Sequence, residues 1–198
     1  MEHKITTTGN TAISPATSTR TFNNYGKGVQ VCHADSFSPT VNVVLTSGGG
    51  QQTTLSSQYF NLIVGYNPFE KDHILIDKTR ALTEYMSEDI REKFSGWTDA
   101  KIEEIKKLPA IITMERNTAD GDKQQGVLAF ITDIREQKNG INIQFQRYYP
   151  VPMNVLQGHF HELGMSSEWE LNRTHWTIKD INLLEVLQDA GLQFFPSL

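Results

Sequence analysis

The sequence predicts an α+β fold: a bent antiparallel sheet around a central β-hairpin, helices packed to one side, and a polar extended arm in front. Three observations carry this. Apolar residues alternate along "GINIQFQ", which follows a turn pair at Asn139-Gly140. Apolar residues recur at helical spacing in four other stretches. Residues 1–57 hold eighteen Ser/Thr and six Gly but only three of the nineteen aromatics, too little apolar surface to offset the entropy of ordering.

The 198 residues suit one domain with a tail or two small ones. The reading places a Ser/Thr/Gly-rich arm at 1–56, partly disordered or in short strands. A globular domain follows at 57–198, with a candidate internal boundary near 108. In the arm, Val29 and Val31 alternate, "TVNVVL" at 40–45 reads as a strand, and "SGGGQQ" as a loop. After it, "QYFNLIVGY" and "HILID" read as strands. Leu82, Met86, Ile90 and Phe94 predict a helix from about Thr79. Thr98 is the expected N-cap of a second helix, with Trp97 and Ile102 as a hydrophobic staple and Pro109 beyond its end. "AIITMER" is a strand. The hairpin "GVLAFITDIREQKNGINIQFQRYYP" follows, its first arm apolar on both faces. Pro152 opens a helix with Met153, Leu156, Phe160 and Leu163 inward and Gly164 as its stop. A last helix spans about Ile181–Ala190 with Leu183, Leu184 and Leu187 inward.

Several kinds of chemistry are weighed against. A net charge of −5 lacks the basic footprint of a nucleic-acid binder, and "REQKNG" with Arg147, Tyr148 and Tyr149 reads as a solvated turn. Cys32 is the single cysteine, so neither an internal disulfide nor a Cys-based zinc site forms. His159 and His161 point about 200° apart on a helix and cannot chelate one ion there. "TSGGGQQTTLS" lacks the Gly-Lys-Ser/Thr of a phosphate loop, and "TADGDKQQG" lacks the calcium-loop pattern. No metal or cofactor is called for. No run of 18 apolar residues spans a membrane and the first residues lack a signal-peptide core, so a soluble, cytoplasmic protein is expected; the style of the sequence is bacterial.

The densest stretch is "WELNRTHWTIKD", 169–180. Trp169 with Leu171, and Trp176 with Ile178, read as two faces of an extended segment broken near Asn172-Arg173, mostly core. Asp180 or Asn182 caps the last helix. The remaining Asn172, Arg173, Thr174 and His175 form the candidate ligand site, suited to a small anion such as phosphate or carboxylate. The alternative for Arg173 is an ion pair with Glu170 or Glu115. Any catalysis would fall to His175, Arg173 and Glu170, with His159 as an outlying candidate.

"LPAIITMERN", "VLAFITDIREQKNGINIQF" and above all "WELNRTHWTIKDINLLEVL" resemble an uncharacterised domain of bacterial proteins. That domain occurs beside Toll/interleukin-receptor-like or other effector domains in suspected anti-phage systems. The resemblance covers about 108–190, and no effector domain is recognisable in this sequence. It implies an adaptor or sensing module of an anti-phage or stress system. The expectation is thus a non-enzymatic module that binds a protein partner or a small ligand, or pairs with its own copies through the arm. The alternative is a small hydrolase or nuclease acting on a phosphate-containing substrate.

Overall fold

The computed structural model describes residues 56–117, 119 and 123–193, together with three short strands in the leader. Those three, β1 (Val29–Val31), β2 (Val43–Thr46) and β3 (Gln52–Thr54), pair antiparallel in that order. The expectations for the rest of the arm and for "LQFFPSL" beyond Gln193 lie outside the described residues.

The main sheet has six strands: β4 (Phe60–Val64), β5 (His73–Ile76), β6 (Pro109–Thr113), β7 (Gln125–Gln137), β8 (Gly140–Pro152) and β9 (His175–Lys179). Their spatial order is β5-β8-β7-β6-β4-β9. Four neighbouring pairs are antiparallel, and β4 with β6 is the parallel exception. The sheet takes strands from both sides of Leu108. The α+β class and the curled, hairpin-centred sheet are as predicted. The curl has a local cause. Two register shifts, at Leu128/Ala129 and Ile131/Asp133, place an extra residue first in β8 and then in β7, and such bulges bend a hairpin.

The helices cover both faces of the sheet rather than one. Helices α1 (Glu88–Phe94) and α2 (Asp99–Lys106) put Phe94 and Ile105 into a core with Ile63, Ile112, Ala129 and Trp176. Helices α3 (Met153–Gly158) and α4 (Leu183–Asp189) put Leu156, Leu184 and Leu187 into a second core with Leu62, Ile111 and Phe130. The reason is visible along β4, β6 and the first half of β7, where neighbouring residues are apolar and feed opposite cores. The alternation of β8 describes only the outer part of the sheet.

Local signals explain most element ends. Thr98 caps α2 through its side chain to the Lys101 amide, and Trp97 and Ile102 both pack on the first core. Ser87 caps α1 in the same way. The helix expected from Thr79 starts nine residues later, at Glu88. Before it come a single 3₁₀ turn, Lys78–Arg80, and an irregular segment in which Leu82 and Tyr85 have φ of 57° and 59°. The hairpin turn is also shifted. Its two loop residues are Lys138 and Asn139, neither with positive φ, and Gly140 already pairs with Gln137. A Cβ on Gly140 would lie 2.4 Å from the Ile76 carbonyl oxygen of β5, so the glycine is required by close approach, not by a type I′ turn.

Candidate functional site

β9 is an edge strand whose alternation divides its work. Trp176 and Ile178 enter the first core, where the Trp176 indole N–H donates to Asn61 Oδ1 at 3.0 Å. His175, Thr177 and Lys179 are polar, share the other parity, and are buried all the same. The outer edge is closed by the segment before α1. Ala81 bridges Trp176 in parallel, and the Leu82 N–H donates to the Trp176 carbonyl at 2.8 Å.

That segment then crosses the polar side of β9. The Tyr85 carbonyl accepts from Lys179 Nζ at 2.8 Å and from Thr177 Oγ1 at 3.2 Å. The Tyr85 ring lies 4.7 Å from the His175 imidazole. Positive φ in bulky residues costs about 1–3 kcal/mol each, so these contacts hold Tyr85 against its backbone preference.

The 3₁₀ turn Glu168–Asn172 meets the same polar side. Its Glu170 pairs with Lys179 at 2.8 Å and also accepts from the Ser166 N–H and hydroxyl, at 2.6 and 2.8 Å. Both partners are enclosed, with side chains 0 % and 6 % exposed. Burial pulls the Lys179 ammonium below its usual range, and the hydrogen bond and charge of Glu170 push it back up. His175 Nδ1 meets the Arg173 carbonyl at 2.7 Å and acts there as donor, while Nε2 is buried with no partner among the described residues. Burial lowers the imidazole pKa. The Arg173 hydrogen bond and the carboxylates of Glu170 and Glu84 oppose that less strongly, and Lys179 adds to it.

The four predicted ligand residues do not converge on one point. The half-exposed Arg173 pairs with Glu84 at 3.2 Å, a partner other than the Glu170 or Glu115 foreseen. Glu84 also lies 3.8 Å from Arg80. Thr174 turns to Glu115, donating both its N–H, at 2.7 Å, and its hydroxyl to Oε1. His175 is inside, and Asn172 Oδ1 is buried without a partner among the described residues. Of the catalytic candidates, Glu170 and His175 belong to one cluster and Arg173 borders it. His159 sits at the C-terminal end of α3 and shares no hydrogen bond or ion pair with them among the described residues. Helix α3 ends at Gly158, so His159 and the exposed His161 lie in the turn that follows rather than on a helix. Trp169, expected in the core, is 67 % exposed.

Three participants were missed: Glu84, Tyr85 and Lys179. The apolar spacing places the first two in a helix. The signal for Lys179 was present, since His175, Thr177 and Lys179 form a polar stripe at period two on a strand covered on both faces.

Next to this cluster a cleft of about 380 Å³ opens where the parallel strands β4 and β6 end. Gly65, Asn67, Glu115, Asn117, Gln124 and Thr174 line it. Gly65 has φ 109°, and a Cβ there would fall 2.4 Å from Thr174 Oγ1.

The fold and site thus define a small α+β protein with a mixed, two-face-covered sheet and an enclosed ionic cluster at one edge strand. Compared with known protein families, curated proteins and solved structures, the chain gives no match. No helix among the described residues is long and apolar enough to cross a membrane.

Proposed function

We propose that the protein is a non-enzymatic interaction module whose recognition surface is the turn carrying Trp169. The observation that supports this is a contrast within five residues. Glu170, the catalytic candidate on that turn, is locked into a buried ion pair, while its neighbour Trp169 presents an indole that is 67 % exposed. An exposed tryptophan is an expensive surface feature and a frequent anchor of protein interfaces. Catalysis asks for groups free to meet a substrate, whereas Glu170 and Lys179 are paired with one another and His175 is fully enclosed. Arg173 and Thr174 already serve carboxylates, which weakens the reading as an anion site and with it the hydrolase alternative.

The partner is a protein, or a second copy of the chain, and the leader strands are a further surface for it. The resemblance noted in the sequence would put such an adaptor in the cytoplasm of a bacterium, within an anti-phage or stress system. Trp169 fluorescence tests the reading. On association its emission moves to the blue, and Trp169→Phe removes that change while the buried Trp176 and half-buried Trp97 still report the fold. An emission spectrum that keeps its red component in the assembled state contradicts the proposal.

A further inference from the structure

We infer that the cleft at the ends of β4 and β6 binds a single cationic nitrogen, an ammonium or guanidinium group, on Glu115. Glu115 is the charged side chain among the described residues that line the cleft. Its following neighbour Arg116 is turned away, into an ion pair with Glu168 at 2.7 Å. Among the described residues, no cation on the lining pairs with the carboxylate. One of its oxygens, Oε1, already accepts from Thr174, which fixes the carboxylate.

The walls are set before any ligand arrives. Gln124 is buried; its Oε1 accepts from the Asn117 N–H at 2.9 Å, and its amide donates to the Glu115 carbonyl. Asn67 Oδ1 accepts from the Phe69 N–H at 3.1 Å and its Nδ2 donates to Glu70 at 2.9 Å. Gly65 and Thr174 are in contact across the floor, with no room for a Cβ between them. Glu115 itself is exposed, and its carboxylate, oriented by Thr174 beside the amides, pairs with a hydrogen-bonded cation at low ordering cost. The volume is at the small end of ligand pockets, about 300–1,000 Å³, and suits one side chain or a short amine. Two sources carry this chemistry: a free polyamine, or the Lys or Arg side chain of a peptide. The inference does not depend on Trp169.

The test is a titration of the ¹⁵N-labelled full chain with spermidine, with a doubly blocked lysine tripeptide, and with 1-butanol as the uncharged control. Saturable shifts are expected at the Gly65 and Thr174 amides and the Gln124 side-chain amide, from one or both cations and not from butanol. The tighter of the two identifies the source. Glu115→Gln keeps an acceptor for Thr174 and removes the charge, and affinity falls about tenfold or more. Equal binding of butanol, unchanged affinity in Glu115→Gln, or no saturable shift at millimolar concentrations overturns the inference. Should Glu115→Gln not fold, the wild-type map still decides, because shifts centred away from Gly65, Thr174 and Gln124 refute the site.

Discussion

Lys179 and Glu170 form an ion pair enclosed on both sides. Both are buried, and the Tyr85 carbonyl and the Ser166 donors add hydrogen bonds to the pair. Removing one partner strands the other charge, so Lys179→Met is expected to cost about 3–5 kcal/mol, read as a drop in the urea unfolding free energy. A loss below 1 kcal/mol would mean that Glu170 reaches water or another donor. His175 gives a pH prediction. Enclosure pushes its imidazole below the ordinary 6.5, so the unfolded chain takes up a proton at a higher pH than the folded one. Its contribution is complete above about pH 6.5 and is lost as pH falls toward the folded value. The difference in stability between wild type and His175→Gln should therefore shrink between about pH 7.5 and 5.5. The facing groups are Tyr85, Glu84, Glu170 and Lys179. Glutamine keeps a donor and a similar bulk, so a difference that is flat or grows on acidification refutes the assignment.

At the scale of elements, signals confined to a few residues were readable and signals that depend on a distant partner were not. The Thr98 cap and its staple, the β7–β8 hairpin, and the inward leucines of α4 follow from short-range rules, and the structure reproduces them. The apolar spacing of Leu82, Met86, Ile90 and Phe94 is real, since all four meet the first core. The chain between them is nevertheless not one helix, because β9 pulls Ala81 and Leu82 into backbone pairing. Spacing reports burial, not the conformation that achieves it. The stretch around Trp169 failed for a related reason. A 3₁₀ turn, capped by the Ser167 side chain, exposes Trp169 and buries Glu170 and Leu171, whereas the extended reading buries Trp169. The candidate site was therefore half legible: His175 and Glu170 were named, but the strap that holds them was hidden inside a predicted helix. The shifted hairpin turn yields its own prediction. Gly140→Ala drives a methyl into the Ile76 carbonyl, and about 1–3 kcal/mol is lost, which equilibrium denaturation will show. A variant as stable as wild type would mean that β5 and β8 separate more easily than their register implies.

For the molecule as a whole, both hydrophobic cores are built, among the described residues, from Tyr59 onward. The main sheet, among the described residues, draws on β4 through β9. Deletion of residues 1–55 is expected to leave the cooperative thermal transition of the remainder within a few degrees of the full chain. Loss of that transition would show that the leader strands complete the fold. On the reading proposed above, recognition falls to the Trp169 turn, with the Glu115 cleft as a separate proposed site. The enclosed cluster sets the Trp169 turn in place, through Glu170 to Lys179 and through Lys179 to Tyr85.

The measurement that tests this account most directly is native mass spectrometry of the full chain purified from its own source, beside Trp169→Ser. The account predicts a complex with a second protein, or a homo-oligomer, that the variant loses while its melting temperature stays unchanged. A lone monomer in the wild type, or an assembly that survives Trp169→Ser intact, would contradict it.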